Sequence, residues 1–461
     1  MLNKLFVRDK GFYKTVLIMA LPVVLQNLIT IGVNMLDTIM LGAYGEIQLS
    51  GSSLANEFIS LYQILCLGIG GGAAVLTSQY WGAGDVQAVR RVVTLMLRVS
   101  LSVALLFGAV TLFAPEAVMS IYASEPEVIE AGALYFRISS PTFLLTGIIV
   151  PVTVVLRSVR QVRLPLVASI ISFGSNLVLN YILIFGKLGL PEMQIAGAAL
   201  ATVLARVIEA AIILVYLLAL DKRIGLRVKH LFGKCRDMLR PYLRYSVPVI
   251  VSDFLLGLGN TAVSIVIGHL GASFVSANAI VSQTVRLSTV ANQGISNAGG
   301  VMTGNTLGQG DRDKAYRQGV TFLMLSVLMG LLAAVIILVV CPPVINAYNI
   351  TQETKDIAFQ LMYAISIMVV FQATQSMLTK GVLRNGGDTR FLMVADIAFM
   401  WLVSIPLGYF AGYVWFLSPF WIYVFLKIDY IIKTVWCTIR LKNKTWMHGF
   451  AAKGGEAVKA E

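Results

Sequence analysis

Asp37 is the sharpest chemical candidate in this sequence. It follows Gln26, Thr30 and Asn34 at steps of 4, 4 and 3 residues within an otherwise apolar run, which places the four on one stripe of a helix. A carboxylate is costly in hydrocarbon and normally faces protein or a wet cavity. There it can take up and release a proton or a sodium ion. The plainer reading is a structural hydrogen bond, or an acid in the outer interfacial zone. Comparable stripes recur: Ser169, Ser172, Asn176 and Asn180; then Asp253, Asn260 and Ser264; then Asn278, Ser282, Arg286 and Gln293, with Gln283 beside them; then Gln372, Gln375, Thr379 and Lys380. Glu57 adds one more acid. We expect Gln26, Asn34, Glu57, Asn260, Gln283 and Gln372 to line a cavity, although helix–helix hydrogen bonding would use the same residue types. Arg286 and Lys380 are cations in apolar runs and need partners, for which Asp253 and Glu57 are the nearest candidates. Arg206 and Glu209, three apart, are placed to pair with each other, and Asp396 reads as structural.

Other chemistry is scarce. Four cysteines (Cys66, Cys235, Cys341, Cys437) and three histidines lie singly, without metal or redox spacing, so no disulfide and no cofactor is expected. The one metal ion with a plausible seat is a transported sodium at Asp37. No cluster of catalytic residues appears, which argues against an enzyme.

The elements that position these residues are membrane spans. The chain is 57% apolar and 13% charged, with mean hydropathy +0.80, too little charge to cover a soluble surface. Apolar runs long enough to cross hydrocarbon fall near 13–41, 52–80, 93–114, 131–157, 164–186, 194–220, 242–269, 275–304, 319–341, 358–383, 391–413 and 417–438. The first is too long for a signal-peptide core. A net charge of +13 would suggest nucleic acid in a soluble protein. Here the basic residues crowd alternate loops and both ends, which by the positive-inside rule sets both termini and the central loop in the cytoplasm of a bacterial inner membrane. Anionic lipid headgroups are the natural partners of those loops; no nucleic-acid partner is expected, and a monomer suffices.

The halves repeat. Pro22 and Pro248, Gly42 and Gly268, Gly82 and Gly308, Asp85 and Asp311, and Arg91 and Arg317 all stand 226 apart, while VLR at 155–157 returns at 382–384. Six helices per half give both halves the same orientation. The expected architecture is an all-α membrane protein of twelve transmembrane helices in two pseudo-symmetric six-helix bundles around a central cavity. It divides into an N-lobe (1–220), a cytoplasmic linker (221–241), a C-lobe (242–440) and a cytoplasmic tail (441–461).

The motifs ALP at 20–22, Asp37-Thr38-Ile39-Met40-Leu41-Gly42, SQYWGAGD at 78–85, Asn176-x-x-x-Asn180-Tyr181, GLPEMQIAGAALAT at 189–202, LGQGD at 307–311 and VLRNGGDTR at 382–390 together resemble the multidrug and toxic compound extrusion (MATE) family. The resemblance implies a two-lobed secondary transporter with alternating access. It would export organic, cationic or amphipathic small molecules by antiport with sodium or protons. It also implies cation coupling at Asp37, Asn176 and Asn180. The family's second-lobe acids are not matched cleanly: Gln375 stands at one position, and Asp253 lies about a turn before the other. Asp253, Gln375, Lys380 and Arg286 are therefore the second-lobe candidates. The alternative is a flippase for a lipid-linked precursor, which would call for more helices and more cavity arginines.

Overall fold

A computed structural model describes residues 6–42, 45–189, 191–348 and 350–449, and among them every regular element is a helix. In chain order these are α1 (Lys10–Gly42), α2 (Glu46–Gly82), α3 (Val86–Phe113), the short α4 (Pro115–Met119), α5 (Pro126–Ser139), α6 (Pro141–Ser158), α7 (Arg163–Ile184) and α8 (Gln194–Val215). The second half follows with α9 (Val228–Leu231), α10 (Arg236–His269), α11 (Ala272–Gly308), α12 (Arg312–Ala347), α13 (Gln352–Ser376), α14 (Thr389–Ile397), α15 (Ile405–Tyr413), α16 (Pro419–Leu426) and α17 (Asp429–Lys442). Single π turns extend α8 and α13 and join α14 to α15.

Ten stretches among the described residues are long and apolar enough to cross a membrane. Two expected spans complete the twelve with a different character. The run at 275–304 forms as α11 at full length, but Asn278, Gln283, Arg286 and Gln293 make it too polar to qualify on composition. The run at 417–438 is broken between α16 and α17, where the Asp429 backbone N–H donates to Ser404 Oγ (2.9 Å) instead of continuing the first helix. The fourth span is also divided, at Ser140, because Pro141 has no N–H to carry the helix ladder through.

The helices form two compact units. The N-unit holds Leu25–Thr77 and Val86–Ile250; the C-unit holds Met1–Val24, Ser78–Asp85 and Val251–Glu461. In the N-unit, Tyr62, Cys66, Ala104 and Phe143 are buried together, and the Tyr62 hydroxyl donates to the Phe143 carbonyl at 2.7 Å. The segment after residue 221 docks on α3: Arg90 donates to the Ile224 carbonyl, Arg98 to those of Leu231 and Gly233, and Arg91 pairs with Asp237 at 2.6 Å. In the C-unit the core is aliphatic, with Ala277, Val281, Ile337, Ala358, Leu361 and Ile365 sealed between α11, α12 and α13.

The repeat is visible inside the C-unit. A Cβ on Gly82 would sit 2.0 Å from the Asn305 carbonyl oxygen, and one on Gly308 would sit 1.9 Å from that of Gln79. Gln79 and Asn305, like Gly82 and Gly308, are repeat partners, so the ends of α2 and α11 cross with two-fold reciprocity. Only glycine lets two backbones approach so closely. The next glycines, Gly84 and Gly310, have φ of 79° and 85°, a left-handed turn that ends each helix. Asp311 then accepts the Lys314 backbone N–H (2.9 Å) and caps α12. The repeated G-x-G-D is thus a close crossing followed by a stop.

Candidate functional site

The polar stripe of α7 turns inward within the N-unit: Ser169, Ser172, Asn176 and Asn180 are all buried. Against it lies the stripe of α1. Asn180 Nδ2 donates to Asp37 Oδ1 at 2.5 Å and to Asn176 Oδ1 at 3.1 Å. The other end of that amide, Asn180 Oδ1, is buried without a hydrogen-bond partner. The structure therefore brings Asp37, Asn176 and Asn180 together. The side chain of Asn34, between Gln26 and Asp37 on the stripe, lies outside the described residues.

From Asn176 the polar surface continues into a cavity of about 220 Å³ within the N-unit, lined among others by Gln26, Asn27, Thr30, Gln63, Thr153, Arg157, Ser169, Ser172, Thr202, Arg206 and Glu209. This has room for several waters. One hydrogen-bonded chain runs along its wall. Arg157 donates to Gln26 Oε1, Gln26 Nε2 to Ser169 Oγ (2.9 Å), Ser169 to Glu209 Oε1 (3.0 Å), and Arg206 closes on Glu209 Oε2 at 2.8 Å. The expected pairing of Arg206 with Glu209 is present, and Gln26 lines the cavity.

The C-unit places its candidates differently. Asp253 was matched in sequence to Arg286 or Lys380; the structure instead pairs it with Arg384, whose two Nη atoms reach its two carboxylate oxygens at 2.7 and 3.0 Å. That fork geometry is the preferred one for guanidinium and carboxylate. Arg286 and Lys380 are exposed, as are Glu57, Asn260 and Gln283, so they are not the buried cations that their apolar neighbours suggested. Gln375 is half-buried and accepts from Thr379 (3.4 Å), while Gln372 buries an unpartnered carbonyl oxygen. Deeper in, Lys433 sits 3.1 Å from both Asp396 and Asp429. Ser252 donates to Asp396 (2.6 Å) and Ser404 to Asp429 (3.0 Å).

Sequence reasoning missed three residues, Arg157, Arg384 and Lys433. Arg157 and Arg384 both end the repeated VLR, and that repetition at matched spacing was the available signal. For Lys433 the signal was its place four residues after Asp429, the spacing of a helical ion pair. Among the described residues no three of His, Cys, Asp and Glu gather as a metal site.

This architecture can be placed among known proteins. The MatE family model matches residues 22–182 and again 248–410, its two starts falling on Pro22 and Pro248. A protein named probable multidrug resistance protein NorM from Thermotoga maritima is 26% identical over 400 residues, covering 86% of this chain and 85% of the relative. One of the same name from Agrobacterium fabrum is 24% identical over 422 residues, covering 88% and 90%. Among solved structures, the outward-facing conformation of a multidrug resistance MATE family transporter superposes with TM-score 0.84 at 18% identity, covering 95% of this chain and 99% of that one. A MATE crystal structure in the bent conformation gives TM-score 0.84 and covers 95% and 98%. With a family model spanning most of both halves and a matching twelve-helix fold, the chain belongs to the MatE family: it is a multi-pass membrane transporter and not an enzyme.

Proposed function

We propose that this chain exports small amphipathic organic compounds across a bacterial inner membrane in exchange for sodium or protons, with Asp37 as the coupling group. The observation that carries this reading is a contrast in partners. Asp253 pairs with Arg384 and Glu209 with Arg206, while Asp396 and Asp429 share Lys433. Among the described residues Asp37 makes no ion pair, and the neutral amide of Asn180 donates to it. An acid clasped by a fixed cation has no vacancy for a mobile one. Asp37 has that vacancy, and the unpartnered Asn180 oxygen beside it supplies a second hard donor of the kind sodium prefers. Asn176 links the pair to the N-unit cavity, a route for an ion to enter or leave.

The wider scheme follows the sequence expectation. Residues 1–220 and 242–440 act as two lobes joined by 221–241, with both termini cytoplasmic. The relatives named multidrug resistance proteins favour export of drug-like molecules over flipping of a lipid-linked precursor. Exposed Arg286, Lys380, Asn260 and Gln283 would be costly against lipid, so they mark a hydrated face of the C-unit. The deciding test is transport in proteoliposomes under separately imposed sodium and pH gradients. Asp37→Asn should lose gradient-driven export by more than about tenfold, with unchanged yield and a single size-exclusion peak. Undiminished gradient-driven export by that variant removes Asp37 from the mechanism.

A further inference from the structure

We infer that the N-unit cavity recognises an organic carboxylate: its cargo is an amphipath with an anionic head, seated on Arg157 and Thr153. This deepens the export reading above and rests on it for the word cargo, but the binding site stands on its own geometry.

The cavity wall carries two guanidiniums and one carboxylate among its lining residues. Arg206 and Glu209 neutralise each other at 2.8 Å. Arg157 remains, and its hydrogen-bond partner is the uncharged Gln26; no carboxylate lies within ion-pair distance of it among the described residues. A last-turn position on α6 would account for an arginine facing bulk water. It does not account for one turned onto a cavity inside a helical bundle, where a charge lacking its counter-ion is expensive.

A second group points the same way. Thr153 lies one turn before Arg157 on the same face of α6 and lines the same cavity. It is 6% exposed, and its hydroxyl is buried without a hydrogen-bond partner. A guanidinium and a free hydroxyl side by side are matched by a carboxylate, which accepts from both. The rest of the wall includes Ile29, Val33, Leu67 and Phe173, which suits an apolar body behind the anionic head.

The other half of the chain shows what a self-sufficient version looks like. Arg384, the repeat counterpart of Arg157, is 131 residues from its partner Asp253, and Arg157 is 131 residues from Gln26. At the same chain separation, one half supplies an acid, which pairs with its arginine. The other supplies an amide beside a cavity. The missing carboxylate is the one the ligand brings.

The test uses the full chain in nanodiscs of zwitterionic lipid and a matched probe series, with one aromatic body bearing a carboxylate, a primary amide or an amine. Calorimetry should show the carboxylate binding at least about tenfold more tightly than the amide, and the amine weakest. Arg157→Gln should erase that preference while leaving amide affinity within about twofold. Should Arg157→Gln fail to fold, Gln26→Glu serves instead. It keeps the guanidinium but gives it an internal partner, as Asp253 does for Arg384, and should likewise abolish the carboxylate preference. Equal or tighter binding of the amine, or a carboxylate preference that survives either variant, overturns the inference. In nanodiscs of anionic lipid the carboxylate affinity should hold; its loss there would assign Arg157 to a lipid headgroup and overturn the cargo reading. Carboxylate binding that passes these arms in a protein showing no ion-coupled transport would leave the site standing and defeat only the antiport proposal.

Discussion

The two units solve the same electrostatic problem in opposite ways. Each buries polar groups carried on helices related by the repeat. In the C-unit, Asp253, Asp396 and Asp429 are matched by Arg384 and Lys433 at ion-pair distance, with Ser252 and Ser404 filling remaining acceptor sites. Lys433 is 2% exposed. In the N-unit, the corresponding chain from Arg157 through Gln26 and Ser169 to Glu209 and Arg206 borders a cavity, and among the described residues no cation lies within ion-pair distance of Asp37. A buried charge must be neutralised by the protein or by something that comes and goes. The C-unit uses the first device and the N-unit leaves room for the second. A pseudo-symmetric transporter therefore need not be electrostatically symmetric, and side-chain pairing distinguishes its two halves.

The strongest way to break this contrast is to remove one cation from each network. Lys433→Met strands two buried carboxylates and should cost about 3–5 kcal/mol, seen as a large drop in the thermal unfolding midpoint in detergent or as lost expression. Arg206→Met leaves Glu209 beside a wet cavity and should cost about 1–2 kcal/mol. Equal losses would mean the N-unit network is as dry as its counterpart.

The matched arginines come next. Arg384→Gln uncovers Asp253 and should destabilise by about 3 kcal/mol. Arg157→Gln uncovers no acid and should stay within about 1 kcal/mol of the parent in the same thermal assay. A smaller difference is expected between the serines. Ser252→Ala removes a 2.6 Å donor to Asp396 and should cost about 1–2 kcal/mol, whereas at Ser169 water in the cavity can replace the lost bond, holding the cost below about 1 kcal/mol.

The smallest effect concerns a site outside the spans, in the turn before α14. Burial works against the charge on Asp388, but hydrogen bonds from His448 and Arg440, the latter at 2.6 Å, outweigh it and hold this carboxyl below the usual carboxylate range. A depressed native value means that the stabilisation is fully present above the ordinary carboxylate range. It is lost as pH falls through the depressed value. The unfolding midpoint of the parent should therefore fall more steeply on acidification than that of Asp388→Asn, by about 1 kcal/mol at most. Parallel pH profiles would show that Asp388 contributes no linkage.

Much of this molecule was legible in its chain. Apolar run length decided the spans, because hydrocarbon thickness leaves a helix few options. The 226-residue offset announced the repeat, and the glycines in it proved to be the close crossing of α2 and α11. Helical periodicity put Asp37 on the polar stripe of α1 and Asn180 on that of α7, and the family resemblance grouped the two. Periodicity does not say which face is buried, however. Arg286 and Lys380 stand in apolar runs and are exposed, while Arg157 and Arg384 are turned inward.

What the sequence by itself determined was whatever depends on one helix at a time: where it starts and stops, how long it runs, and which residues share a stripe. The tertiary structure alone decided which charges meet between helices, such as Asp253 with Arg384, and where the N-unit cavity lies. Pairing energies depend on distances between helices far apart in sequence, and no local pattern encodes those distances.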